Sequence, residues 1–154
     1  MKANLRCAQI YLSEDRPSIV APMHFNSAGI YYEQEESLVA GPWRDENTIA
    51  LALRDALGKF EFREISLRDE KKTDWPALRA SKCRSVREFE KEYLKIRVCA
   101  LNEAELFYDA SAQPRTEADI SLHVTLNPYG TDLEMGRLLI KLFDACLRWH
   151  VDEV

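Results

Sequence analysis

Glycine is scarce in this chain, five among 154 residues, and no two glycines stand at the spacing of a phosphate-cradling loop or a nucleophile elbow. No paired-carboxylate signature replaces them, so neither a nucleotide nor another cofactor is expected. Long apolar runs are missing as well. None approaches the ~18 residues that cross a bilayer, and the opening MKANLRCAQIYLSEDRPS lacks the apolar stretch of ~7 to 15 residues found in a secretory leader. No membrane span and no export signal are expected, which places the chain in the cytoplasm.

Cysteine and histidine are present but not clustered. Cys7, Cys83, Cys99 and Cys146 stand singly, and His24, His123 and His150 lie far apart, with no close cysteine pair and no second ligand at helical spacing. Reduced, buried thiols and no metal are the expectation. There are no repeats or Gly/Ser linkers. With 46% hydrophobic and 31% charged residues, the chain reads as one globular domain over residues 1–154.

The net charge is −5, unevenly spread: residues 59–95 hold eleven basic against eight acidic side chains, whereas both flanks are acidic. Duplex binding draws its affinity from Lys and Arg set against phosphates. An acidic chain with one weakly positive segment is poorly suited to that task, so direct nucleic-acid binding is not expected. A nucleic-acid module through the basic stretch 68–91 is kept as an alternative.

In the first half, LRCAQIYL (5–12), SIVAPMHF (18–25) and GIYYEQ (29–34) read as strands between turn signals. Pro22 assigns the second of them to a sheet edge or an irregular segment. DENTIALALRDALG predicts a helix near 46–57, capped by Asp45 or Asn47 and closed by Gly58. KFEFREISLRD follows as a strand or an irregular extension.

Ser85 and Glu88 form a capping-box pair that opens a helix near 85–93, with Val86, Phe89 and Tyr93 inward and the charges outward. LKIRVCAL (94–101), ELFYDA (105–110) and DISLHVTLN (119–127) alternate polar with apolar residues, the pattern of half-buried strands. Short connections predict a three-stranded meander near 94–127. Met135, Leu138, Leu139, Leu142, Phe143, Cys146 and Trp149 then line one stripe of a final helix near 132–150. The fold class is α+β, an antiparallel sheet covered by helices on one face.

Candidate chemistry is thin. Cys99 and His123 point by alternation to the polar side of neighbouring strands, where a thiolate and a base could meet. A small hydrolase or nuclease using Cys99, His123 or His24 is therefore the catalytic alternative. Trp43 and Trp75 are read as core residues. In YYEQEES, Glu33, Glu35 and Glu36 flank Tyr31 and Tyr32. Such a group is a solvated turn or an acidic recognition patch, in which carboxylates meet a basic partner and tyrosines supply rigid contact area.

The segment KKTDWPALRASKCRSVREFEKEYLKI, with the hairpin and the amphipathic helix that follow, resembles the immunity proteins of bacterial contact-dependent growth-inhibition systems. The resemblance covers residues 25 to 150. It implies a cytoplasmic protein, not an enzyme, that binds and blocks the C-terminal toxin domain of its own system, and such toxins are often nucleases. It carries no functional residues across, because these families place their interfaces differently for each toxin. An acidic inhibitor can fill a basic cleft with carboxylates in place of phosphates. The expected toxin-binding residues are thus Glu33, Glu35, Glu36, Tyr31 and Tyr32, together with Glu103, Glu105 and Asp109.

Overall fold

A computed structural model describes residues 6–64, 75–102, 105–112, 120–127 and 130–151. In chain order these form β1 (Arg6–Leu12), β2 (Ile19–Phe25), β3 (Tyr31–Glu33), β4 (Leu38–Val39), α1 (Glu46–Gly58), β5 (Glu61–Phe62), α2 (Pro76–Ser81), α3 (Val86–Glu92), β6 (Leu94–Asn102), β7 (Glu105–Ala112), β8 (Ile120–Leu126) and α4 (Asp132–Val151). The strands build one sheet in the order β3-β2-β1-β6-β7-β8, with β4 and β5 also pairing β2. All pairs are antiparallel except β2 with β5. The expected meander is β6-β7-β8.

Successive residues of a strand face opposite sides, and here each side is packed by different helices. Ala8, Ile10, Leu12, Ile96, Val98 and Tyr108 form one core with Ile49 and Leu53 of α1 and with Met135, Leu139, Phe143 and Cys146 of α4. Burying each larger side chain there contributes about 1.5–3 kcal/mol. The alternate residues Tyr11, Ile19 and Ala21 pack instead with Ala77 of α2 and Phe89 of α3. The expectation of helices on one face is corrected: α1 and α4 cover one side, while α2 and α3 cover the β1–β2 part of the other. Trp43 meets Phe143 at 5.0 Å and Trp75 meets Phe89 at 4.8 Å between ring centroids, so both tryptophans are packing residues.

Pro22 is also corrected. β2 is internal, with β1 on one side and β3 and β4 on the other. The Pro22 carbonyl accepts from Gln34 N at 2.7 Å, so the position without an N–H faces the interval between β4, which pairs Ile19 and Val20, and β3, which pairs Met23 to Phe25. No ladder bond is lost there.

The helix termini follow from local chemistry. Asp45 caps α1, accepting from Thr48 N at 3.2 Å and Thr48 Oγ1 at 2.7 Å. Gly58 is the last residue of α1 and Lys59 the cap, in ordinary right-handed conformation, so the glycine supplies no left-handed turn. Ser85 caps α3 through Glu88 N at 3.1 Å, and Glu88 returns its carboxylate to Arg84 N at 2.7 Å, one residue before the position a capping box uses. Gly136 has a separate role, because a Cβ there would collide with the Glu46 carbonyl. It lets α4 press against the start of α1, where Arg137 pairs Glu46 at 3.3 Å, and further along α1 Arg54 pairs Asp132 at the start of α4. The Trp149 side chain lies outside those described.

Candidate functional site

Cross-strand register sets residues of the second sheet face in rows. Ala21, Gln9, Arg97, Asp109 and His123 are consecutive partners across five strands. Cys7, Cys99, Phe107 and Thr125 form the next row. Where α2 rises over this face, a cleft of about 290 Å³ opens between β1, β3, β6 and the helix. Tyr11, Tyr31, Glu33, Trp75, Arg79 and Lys95 are among its walls.

Glu33 holds the inner end of the cleft. Its Oε1 accepts from Trp75 Nε1 at 3.0 Å and from the Tyr11 hydroxyl, and its Oε2 accepts from Ala77 N at 3.0 Å. The Tyr11 hydroxyl oxygen also lies 2.8 Å from Gln9 Oε1. Burial first, and the Glu33 charge second, push the Tyr11 hydroxyl far above the usual tyrosine range, so it remains a neutral donor. Burial also raises Tyr31, whose ring lies 6.0 Å beneath the Arg97 guanidinium.

The acidic group read from the sequence is therefore divided. Glu33 is engaged with protein donors, while Glu36 is exposed and the Glu35 side chain is 86% exposed, 3.6 Å from Arg63. Tyr31 and Tyr32 are half-buried, with Tyr32 donating to the Arg63 carbonyl at 3.1 Å. Glu105 is exposed at the start of β7, and Asp109 lies 3.3 Å from His123 Nδ1. Glu103 lies outside the described residues. β3 and β7 are four strand positions apart, about 19 Å at the usual strand spacing. Glu33, Glu35 and Glu36 are thus a separate surface from Glu105 and Asp109.

The residues of the catalytic alternative are dispersed. Cys99 is bonded to Cys7, which corrects the expectation of four reduced thiols; Cys83 and Cys146 are free. His123 stacks on Phe107 at 5.2 Å, two strands and two residues from Cys99, about 12 Å by strand geometry. His24 is buried on the opposite sheet face, 3.3 Å from both Glu61 and Arg63 Nη1. Among the described residues no cluster of three or more His, Cys, Asp or Glu could hold a metal ion, and no helix is long and apolar enough to cross a membrane.

Of the basic stretch 68–91, residues 68–74 lie outside the described residues. Arg79 reaches the Glu35 carbonyl at 3.4 Å. Arg84, just before the cap of α3, and Arg87 and Lys91 on the helix are exposed beside exposed Glu90, and Glu88 pairs Arg16 at 3.0 Å. The charge there is a mixed solvated face.

No protein-family model matches the sequence, and no curated protein matches it. Solved structures do. A protein of unknown function, NMB0488, from Neisseria meningitidis is similar with a TM-score of 0.64 at 14% identity, over 91% of this chain and 96% of that one. A chain of a CdiA-CT/CdiI toxin and immunity complex from Yersinia pseudotuberculosis is similar with a TM-score of 0.60 at 12% identity, over 92% of this chain and 97% of that one. At such identities the likeness is one of fold, and the α+β architecture is shared nearly end to end with a chain of a toxin and immunity complex.

Proposed function

We propose that this chain is an immunity protein of a contact-dependent growth-inhibition system. It acts in the cytoplasm by binding rather than by catalysis, and neutralises the toxin domain of its own system by covering that domain's active site or substrate surface. The observation that carries this reading is the likeness, over 92% of the chain, to a chain of a toxin and immunity complex. The toxin is a nuclease with a basic substrate surface, which the net charge of −5 complements and steers toward encounter. Exposed Glu35 and Glu36, with Tyr31 and Tyr32 beside them, meet that surface, and Glu105 and Asp109 offer a second contact.

The test is co-expression with the toxin domain encoded immediately upstream. Cells making both proteins should survive, the two should co-elute in size-exclusion chromatography, and an unrelated toxin should kill despite the chain. Death of the cells, or survival with no complex, would remove the reading.

A further inference from the structure

Cys7 and Cys99 are register partners at the centre of the sheet, with Cα atoms 4.3 Å apart, near the spacing of a non-hydrogen-bonded antiparallel pair. The ladder around them runs unbroken from Arg6–Ala100 to Leu12–Leu94. It aligns β1 and β6 without covalent help. Opening the bond leaves that ladder and the α1–α4 core with all their contacts, so the disulfide is separable from the architecture.

The pair lies behind the cleft, one side chain away from it. Tyr31, Met23 and Phe60 pack against the two sulfurs' residues, and Tyr31 and Met23 line the cleft wall. Both cysteines are buried, Cys7 the more deeply. Cys99 is 9% exposed against 1% for Cys7, on the face that α1 and α4 leave uncovered.

We infer that Cys7 and Cys99 form a reversible thiol–disulfide switch that resets the Tyr31 wall of the cleft, with a small monothiol of the glutathione class as the exchange partner. In the reducing direction a thiolate attacks Cys99 Sγ. The protein S–S bond breaks, a mixed disulfide forms on Cys99, and Cys7 leaves as a thiolate that takes a proton. A second thiolate attacks the outer sulfur, releasing Cys99 as a thiol and one small-molecule disulfide. The protein has gained two electrons and two protons, supplied by two thiols. Sulfurs no longer bonded need more room; of the two half-buried neighbours, Tyr31 and Phe60, Tyr31 is the one that lines the cleft, and it moves.

The full chain, equilibrated in reduced and oxidised glutathione mixtures and quenched with acid, is alkylated in denaturant and weighed. The thiol count should pass reversibly between two, Cys83 and Cys146, and four. The circular dichroism should not change, and the Tyr31 ring resonances, assigned with Tyr31→Phe, should shift with the same midpoint. Four thiols at every ratio, two at every ratio, or a transition that leaves Tyr31 unmoved would each overturn the switch. Cys83→Ser should keep the cycle with one thiol fewer. If Cys7→Ser/Cys99→Ser fails to fold, the titration of the unmodified chain still decides, and it does so whether or not the cleft meets a toxin.

Discussion

Trp75 and Glu33 are 42 positions apart, and the indole N–H of one donates to the carboxylate of the other at 3.0 Å. With Ala77 N and the Tyr11 hydroxyl on the same carboxylate, one side chain ties the start of α2 to β3 and β1. Glu33→Gln keeps the shape but turns one acceptor oxygen into an NH₂ that faces a donor. A buried donor left unsatisfied costs roughly 1–3 kcal/mol. Urea unfolding should show that loss with an unchanged slope, and a variant as stable as the parent would detach Glu33 from this structural role.

Glu35 and Glu36 are exposed, so Glu35→Lys/Glu36→Lys should leave stability within about 0.5 kcal/mol. Association with the toxin domain should slow roughly tenfold at low salt, and the difference should fade as salt screens the surface. Asp109→Lys is the companion variant on β7. Stopped-flow rates that fall for Asp109→Lys alone would move the contact from the β3 end to the open face of β6–β8.

At Gly136 a Cβ would strike the Glu46 backbone, and backbone cannot swing aside as a side chain can. Gly136→Ala should cost roughly 1–3 kcal/mol, the usual penalty of overpacking. Gly58→Ala is the matched control. Nothing lies within 4 Å of its Cβ position and its backbone is not left-handed, so thermal unfolding should shift little or slightly upward.

Burial pushes the Tyr93 hydroxyl up to about 12 and the Cys146 thiol up to about 11, and raises Tyr11 and Tyr108 further. In the unfolded chain these groups titrate at about 10 for tyrosine and about 8.5 for cysteine. Above those values the unfolded state has released protons that the folded state still holds, so stability falls as pH rises. It is fully present below pH ~8.5 and declines through pH 9 to 11. Urea midpoints across that range should drop steadily; a flat profile would mean that the four groups are not protected.

Much of the architecture was legible because burial on one face leaves a period of two or of 3.6 residues in the chain. β6 to β8 and the α4 stripe were read that way. The second helical layer was missed, although β1 and β2 carried its mark: Tyr11 and Ile19 are large, strand-favouring side chains like Ile10 and Val20, and all four are buried. Near-continuous apolar strands are what two-sided burial produces. The Cys7–Cys99 bond, at a separation of 92 residues, could not be read from spacing, because it depends on the β1–β6 register. Glu33 resembled its exposed neighbours Glu35 and Glu36 because its donors come from Tyr11 and from residues 75–77, too distant in sequence to mark it.

The pairing of β1 with β6 has a consequence in time. β1 ends at Leu12 and its central partner begins at Leu94, so a nascent β1 waits for about 82 further residues, roughly 4–16 s at ordinary rates of synthesis. Until then Ile10 and Tyr11 have no β6 beside them, and the α4 side of the core stays open longer still. Sheets closed by such distant partners fold slowly. A cell that relied on this chain for protection would need a finished stock of it before the threat arrived.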